Sequence, residues 1–505
     1  LKIYPNLFKE FTNFIKMNIL LIYSTDEVQS TEKPLRTPEQ MHFGISYISS
    51  FLKKKGHRTK LCVLSRVFED KNKEIVDKIM KKFKPNLIGF TSVSTQYPFI
   101  AEIAKYIKKS HPEIFLVIGG SHVSINPEKI LKEGFDALCI GEGEEPIQEL
   151  VNQLEKKRFP LKIKNLWIKN KGGKIEKNPT RDFIKNLDSL PFPDREIWEE
   201  WTENQKFSRN PVLLGRGCPF QCAYCCNHVF RKLASGTYVR MRSAKSIIKE
   251  IKEIRKNNPH EKEIYLEVEN FGVDQRWAIE LCKEIEKMNK DFDGPLSFGV
   301  NLRVTPKTDF TNLFIACKKA NFRFINIGLE SGSERVRSKI LKRHYANEDI
   351  INAVKLARKY GLQVALFNLI GLPGETFEDF KETLEVNRKV LPDWHFTSIF
   401  FPYPGTDLYK LCEKEGLLKE PLDTKMERAK ATLDLPGFSR KQIQKNYIWF
   451  DYNVYKGKKP LLGLLVKTML TKIRSSQNLN YYYRKTASLK LFAKVKDFLK
   501  KSSGI

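Results

Sequence analysis

The chain is 505 residues long, enough for about two to four domains, and it is 41% hydrophobic, so a sizeable core can form. Outside one short run its nine cysteines lie singly in apolar contexts, which excludes a disulfide framework and predicts a reducing, cytoplasmic compartment; the run of about 18 apolar residues that a membrane-crossing helix needs is also missing. The formal net charge of +30 admits nucleic acid, an anionic membrane surface or a lysine-rich solvated surface as readings, and the spread of Lys along helical stretches favours the last.

Met17 to Tyr23 reads as a start that runs straight into a first strand, with residues 1–16 as an upstream extension. Short apolar runs then alternate with amphipathic stretches. Strands are expected over 19–23, 60–64, 86–91, 115–118 and 137–140, and helices over 43–55, 73–82, 99–110, 127–133 and 146–153. That alternation predicts an α/β, doubly wound, Rossmann-like domain over 17–153, whose ligands enter at the carboxyl ends of the strands. Three loops at such ends stand out: the hydroxyl-rich run from Thr91 through Ser92 to Thr95, then Gly119-Gly120-Ser121-His122, then Gly141-Glu142-Gly143-Glu144. Glycine there lets a large ligand approach the backbone. Glycine turns after strands are common, so a sheet that binds nothing stays open as a reading, and His122 serves equally as loop packing or as a ligand contact.

Residues 154–210 change character. Runs at 166–169 and 174–176 flank Gly172-Gly173 as a hairpin, and Pro191 and Pro193 enforce extended chain, so this reads as a linker with some structure. From Pro211 the alternation resumes with longer helices. Strands are expected over 212–215, 263–268, 296–301, 324–328, 363–370 and 396–400, a partial (β/α)6 barrel of TIM type over 211–415. The loop after its first strand holds Cys218, Cys222 and Cys225, spaced Cys-x3-Cys-x2-Cys with Tyr224 before the last. A loop this short aims three sulfurs at one point, and thiolates hold iron–sulfur clusters. Three protein ligands for a four-iron cubane leave one iron open, which marks chemistry rather than structure. The alternative is a zinc knuckle with Cys226 or His228 as fourth ligand, which the adjacent Cys225 and Cys226 suit poorly.

On these residues the chain resembles the radical S-adenosylmethionine (SAM) superfamily, and the three N-terminal loops resemble the cobalamin-binding domain of its B12-dependent members. The resemblance covers roughly 17–415. It implies that Cys218, Cys222 and Cys225 hold a [4Fe-4S] cluster whose open iron chelates SAM, and that SAM is cleaved to a 5′-deoxyadenosyl radical. It also implies SAM contacts from Glu269 and Asn270, which replace the family's paired aspartates, and from Arg303, Glu330 and Ser331. Arg343 reads as a ligand or as a surface charge. Gly371 to Thr376 shapes the adenine side. Ser92, Thr95, Gly119, Gly120, His122, Gly141, Glu142 and Gly143 surround cobalamin. No Asp-x-His-x-x-Gly run occurs, since Asp393-x-His395 is followed by Ser398, so no histidine is expected on cobalt. The implied activity is methylation of an unactivated carbon of a small-molecule or lipid substrate. The alternatives are a radical cyclase or oxidoreductase like the anaerobic magnesium-protoporphyrin ester cyclase, or a tRNA-modifying enzyme. A flavodoxin or ferredoxin would supply electrons.

The last segment, 416–505, is helical from 439 and rich in aromatics. From Lys456 onward it carries thirteen Lys or Arg and one acid, Asp497, with Leu461, Leu462, Leu464, Leu465 and Met469 at helical spacing. It reads as a cap on the barrel, as a peripheral contact through 456–505 with the inner membrane face, or, least, as an RNA contact.

Overall fold

The computed structural model describes residues 16–487 apart from 27–29, 31, 68, 131–132, 171, 204–208 and 419–421. The extension expected over 1–16 lies, but for Lys16, outside the described residues, as does 488–505 of the basic tail.

The apolar runs of the N-terminal third become parallel strands because they are buried on both faces. β1 (Asn18–Thr25), β2 (Arg58–Ser65), β3 (Leu87–Thr91), β4 (Phe115–Gly119) and β5 (Ala137–Cys139) lie in the order β2-β1-β3-β4-β5. Four successive β1 residues, Ile19 to Ile22, are buried, which requires helices on both sides of the sheet. The helix expected over 127–133 is described over Pro127–Ile130, with 131–132 outside the described residues, and a further short helix, Ser121–Ile125, precedes it. Pro127 pushes Asn126 out of helical geometry.

The linker expected over 154–210 is more than a linker. Its hairpin, β6 (Leu166–Lys169) and β7 (Ile175–Lys177), pairs antiparallel onto β5 and completes a seven-stranded sheet. Without it the backbone groups of β5 would stand as an open edge. Trp198 and Trp201 are buried in the same core as β1 and β2, and the Trp198 indole donates to Ser46 Oγ at 2.8 Å.

The second sheet begins with β8 (Arg209–Leu213). A two-residue ribbon of β9 (Gly215–Arg216) and β10 (Arg240–Met241) follows. Then come β11 (Glu263–Glu267), β12 (Ser297–Leu302), β13 (Phe322–Glu330), β14 (Gln363–Ile370) and β15 (Trp394–Ile399), so that β8 and β11 to β15 stand parallel in chain order. The sheet curls: the Arg209 guanidinium of β8 lies 5.6 Å from the Phe324 ring of β13, three strands away, whereas flat neighbours are spaced about 5 Å apart. Helices cover the convex face through Ile247, Ile251, Leu281, Phe314 and Val354. Their starts are capped locally. Asp274 accepts from the N–H groups of Arg276 and Trp277, and Thr376 and Asp379 form a capping box.

The helices Arg440–Ile448 and Phe450–Tyr455 share a core with the barrel. Phe450, Val454 and Tyr455 pack with Phe380, Phe438 and Ile443. Burying Phe450 alone contributes about 2–3 kcal/mol. The Tyr455 hydroxyl donates to Pro392 O at 2.8 Å, and Asp451 holds His395 at 3.1 Å. This part of the C-terminal segment is therefore a cap. Among the described residues no helix is long and apolar enough to cross a membrane.

Candidate active site

The carboxyl edges of the two sheets face each other. Asn126, beyond β4, donates to Pro404 O, beyond β15, at 3.5 Å. Glu142, beyond β5, accepts from Arg216 at 2.8 Å, from Arg240 at 3.0 Å and from the Ile184 N–H at 2.8 Å. Glu144 accepts from the other side of the Arg216 fork at 2.5 Å. Burial alone would raise the Glu142 carboxyl, but Arg216 and Arg240 hold it below the ordinary carboxylate value. Arg216 stands two residues before Cys218, so the Gly-Glu-Gly-Glu loop is fastened to the cysteine loop.

The cysteine loop leaves the end of β8. Cys222 is buried, and Cys218, Cys225 and Cys226 are half-buried. Donors converge on the sulfurs. The Asn227 N–H and its side-chain amide reach Cys225 Sγ at 3.5 and 3.7 Å, and Arg303 reaches Cys222 Sγ at 2.7 Å while lying 3.8 Å over the Phe220 ring. A hydrogen bond from Cys226, with help from Asn227 and against burial, lowers the Cys225 thiol to about 7; burial raises Cys218 to about 11. Such donors suit thiolate ligands. His228, the alternative fourth zinc ligand, sits 3.3 Å from the Asp407 carboxylate instead. Among the described residues no three His, Cys, Asp or Glu side chains gather around a point fit for a single ion. A cubane does not require that, because each thiolate takes its own iron. The residues therefore fit a cluster.

The candidate SAM residues sit at neighbouring strand ends. Tyr224 donates to Glu330 Oε1 at 3.0 Å, and Arg343 donates to the same oxygen and to the Tyr224 hydroxyl, each at 2.9 Å. Arg343 also donates to Gly328 O at 2.9 Å and is buried. It is therefore not a surface charge. A π-turn at Val336–Ile340 folds the chain back and delivers it as a strut between the cysteine loop and Glu330. Glu330 itself adopts a left-handed φ of 61°, a strained conformation that its two partners maintain. Ser331 is fully buried and accepts from the Ser333 N–H at 3.2 Å. Gly332 is required by packing, since a Cβ there would stand 2.3 Å from Glu382 O. Asn270 is buried, its Oδ1 accepting from the N–H groups of Gly272 and Arg303 at 3.1 and 2.9 Å. Glu269 is exposed.

In the first sheet, Gly119, Gly120, Gly141, Glu142 and Gly143 line a largely apolar cavity of about 260 Å³, walled by Leu21, Ile48 and, from the barrel side, Leu213. At Gly120, φ is 101° and a Cβ would stand 2.6 Å from Ser92 O, so no larger residue fits. A largely apolar cavity of this size with glycines in its wall suits an aromatic base such as that of the cobalamin tail. Ser92, Thr95 and His122 lie outside the cavity lining. Ser92 Oγ donates to Val93 O at 2.9 Å, Thr95 Oγ1 is buried with no partner among the described residues, and His122 Nδ1 stands 2.9 Å from Ser94 Oγ. Burial lowers the His122 imidazole to about 4, so it is neutral at pH 7.

The radical SAM superfamily model matches residues 212–386, and the B12 binding domain model matches residues 38–151. An uncharacterized methyltransferase of Pyrococcus horikoshii is 30% identical over 440 residues, covering 85% of this chain and 90% of the relative. The chain belongs to the radical SAM superfamily and carries a B12-binding domain. This radical SAM enzyme is also similar to the anaerobic magnesium-protoporphyrin IX monomethyl ester cyclase of Rubrivivax gelatinosus, at 25% identity over 72% of this chain and 65% of the relative. Its fold matches that of the radical SAM methyltransferase TsrM of Kitasatospora setae, solved with cobalamin and a [4Fe-4S] cluster bound, with a TM-score of 0.64 at 17% identity over 90% of this chain and 91% of the other. Its cofactors are a [4Fe-4S] cluster, SAM and cobalamin.

Sequence reasoning missed Arg216, Arg240 and Glu144 as the fastening between the two sheets. The pairing of two acids in one glycine loop with an Arg beside the first cysteine was a legible signal. The run that begins at Glu267 was singled out only as a place for polar SAM contacts; that Glu267 lies on the same face of β11 as Tyr265, toward the inside of the barrel, was not legible.

Proposed function

We propose that this enzyme is a cobalamin-dependent methyltransferase acting on an unactivated carbon of a small or lipid-like substrate. The observation that carries the reading is the meeting of the two carboxyl edges, with the Gly-Glu-Gly-Glu loop locked to the cysteine loop through Arg216. Cofactors held on the two edges would open into one space. Bound there, they would supply reductive cleavage of SAM and a transferable methyl group. In this reading Cys218, Cys222 and Cys225 bind three irons, and the N–H groups of Asn227 and Arg303 offset the charge on their sulfurs. Tyr224 and Arg343 aim Glu330, and Glu330 with Glu269 presents carboxylates to the SAM ammonium. Asn270 fixes the turn that carries Arg303. The glycine slot admits the cobalamin tail, and neutral His122 keeps the neighbouring loop packed on Tyr97. A radical cyclase or oxidoreductase would use the same parts, and the likeness to the ester cyclase keeps that outcome as the second reading.

Anaerobic purification with hydroxocobalamin supplied should yield about four irons and about one cobalamin per chain. On reduction with SAM and substrate, 5′-deoxyadenosine should appear together with S-adenosylhomocysteine. Deoxyadenosine alone would favour cyclisation or oxidoreduction. A chain that takes the cluster but no cobalamin would overturn the methyltransferase reading.

A small reduced electron carrier such as flavodoxin or ferredoxin completes the scheme. The remainder of the tail supports a contact with an anionic bilayer. The helix Leu461–Arg474 exposes Leu461, Leu462, Leu465 and Met469 on one flank, with Leu462 75% exposed, inside the Lys-rich run that begins at Lys456. The full chain should sediment with phosphatidylserine vesicles at low salt and be released by salt, and Leu462→Glu should weaken it by about tenfold. Equal sedimentation with neutral lipid, or none at all, would sink this contact.

A further inference from the structure

The concave face of the barrel has two unlike walls. On β11 to β13 the inward side chains above the level of Phe324 are polar. The Tyr265 hydroxyl donates to Asn301 Oδ1 at 2.6 Å, and Asn326 Nδ2 donates to the Tyr265 hydroxyl at 3.0 Å and to Asn301 Oδ1 at 3.2 Å. Both N–H groups of Asn326 are thereby used. Among the described residues its Oδ1 has no partner, in a residue only 5% exposed. A buried acceptor in that state asks for a donor from a ligand. Glu267 lies on the strand-end side of Tyr265 on β11, two strands from Asn326. No hydrogen bond or ion pair to the Glu267 side chain forms among the described residues, and burial, reinforced by Glu269, pushes its carboxyl up to about 7. The nearby cations are committed: Arg303 to Cys222, Arg343 to Glu330, and Arg209 and Arg323 to Glu263.

The facing wall is aromatic. Phe367 of β14 and Phe396 of β15 are register partners and stack with centroids 5.1 Å apart. They point inward, because the intervening Asn368 points out to Asn387 of the covering helix. Phe396 is nonetheless 49% exposed, so the space in front of it is open. The floor is closed. The Phe324 ring fills the place of a side chain at Gly299, where a Cβ would stand 1.9 Å from it, and it packs on Tyr265 and Trp394.

We infer that the substrate is a planar ring compound carrying a protonated amine, which docks its N–H groups on Glu267 and Asn326 Oδ1 and lays its ring against Phe396 and Phe367. This rests on the enzyme reading above and narrows its substrate from lipid-like to cationic and flat. An ammonium makes charge-assisted hydrogen bonds with a carboxylate that no protein cation neutralises, and the ring gains an aromatic stack.

The test is equilibrium dialysis of the anaerobically reconstituted full chain against three isosteres: naphthylmethylamine, naphthylmethanol and naphthylacetate. The amine is expected to bind about tenfold or more tightly than the alcohol, with the carboxylate weakest. Glu267→Gln should erase the advantage of the amine, Glu267→Asp should restore part of it, and Phe396→Ala should weaken amine and alcohol alike. Equal binding of amine and carboxylate, binding of none of the three, or an advantage that survives Glu267→Gln would overturn the inference. Iron content and SAM cleavage are read on the same samples. A chain that prefers the amine but never cleaves SAM would refute the enzyme reading and leave the lumen assignment standing. The opposite pattern would refute only the lumen assignment.

Discussion

Replacing Cys218, Cys222 or Cys225 singly with Ala is expected to strip the chain of cluster iron and to reduce SAM cleavage to below about one hundredth of the unmodified level, since even residues that merely orient metal ligands cost 10–100-fold when lost. The three thiols sit on one loop at the mouth of the barrel, and their donors come from Asn227 and Arg303. Removing one therefore leaves an iron without its thiolate, and the nearest other thiol in the loop, Cys226, stands beside Cys225. Cys226→Ala is the informative contrast. Its thiol serves Cys225 as a hydrogen-bond donor, so that variant should keep most of its iron. Iron and sulfide analysis with the characteristic visible absorption decides. An equal loss in Cys226→Ala would make Cys226 a ligand, and full iron in any of the other three would remove that cysteine from the set.

Arg216→Ala is expected to cost about 3–5 kcal/mol of stability, the usual result of removing one partner from a buried ion pair. Its fork holds Glu142 and Glu144 together. Without it Glu144, almost fully buried, stands beside Glu142 with only Arg240 left as a counter-charge. The pH dependence has a definite sign. Glu142 is held below its unfolded value, so its contribution is present above the ordinary carboxylate range and is lost as the pH falls through it. The margin of the unmodified chain over Arg216→Ala should therefore shrink in acid. Denaturant unfolding followed through Trp198 and Trp201, both in the first core, measures this. A difference below about 1 kcal/mol at neutral pH, the value of an exposed pair, would show that the fastening is not closed in solution.

What the sequence by itself determined lies close together along the chain. The cysteine spacing is legible because the loop brings its own sulfurs together. The strands are legible because parallel strands buried on both faces need unbroken apolar runs, as in Ile19 to Ile22. The Glu-Ser-Gly run at the end of β13 is legible because its residues are contiguous and resemble the family's segment, although the close approach of Gly332 to Glu382 is a tertiary contact. Only the tertiary structure decided the rest. Arg343 became a buried strut through a π-turn and a hydroxyl more than a hundred residues earlier. The 166–177 hairpin joined the first sheet because β5 offered an unpaired edge. Helices after 439 became a cap because Phe380 and Phe438 left a hollow that Phe450 fills. Phe367 and Phe396 came to stack on the concave side because adjacent parallel strands set them in register. Local spacing and burial patterns record which groups a segment carries. Which groups meet depends on contacts between segments, and those are set by packing across the whole chain rather than by any run of residues within it.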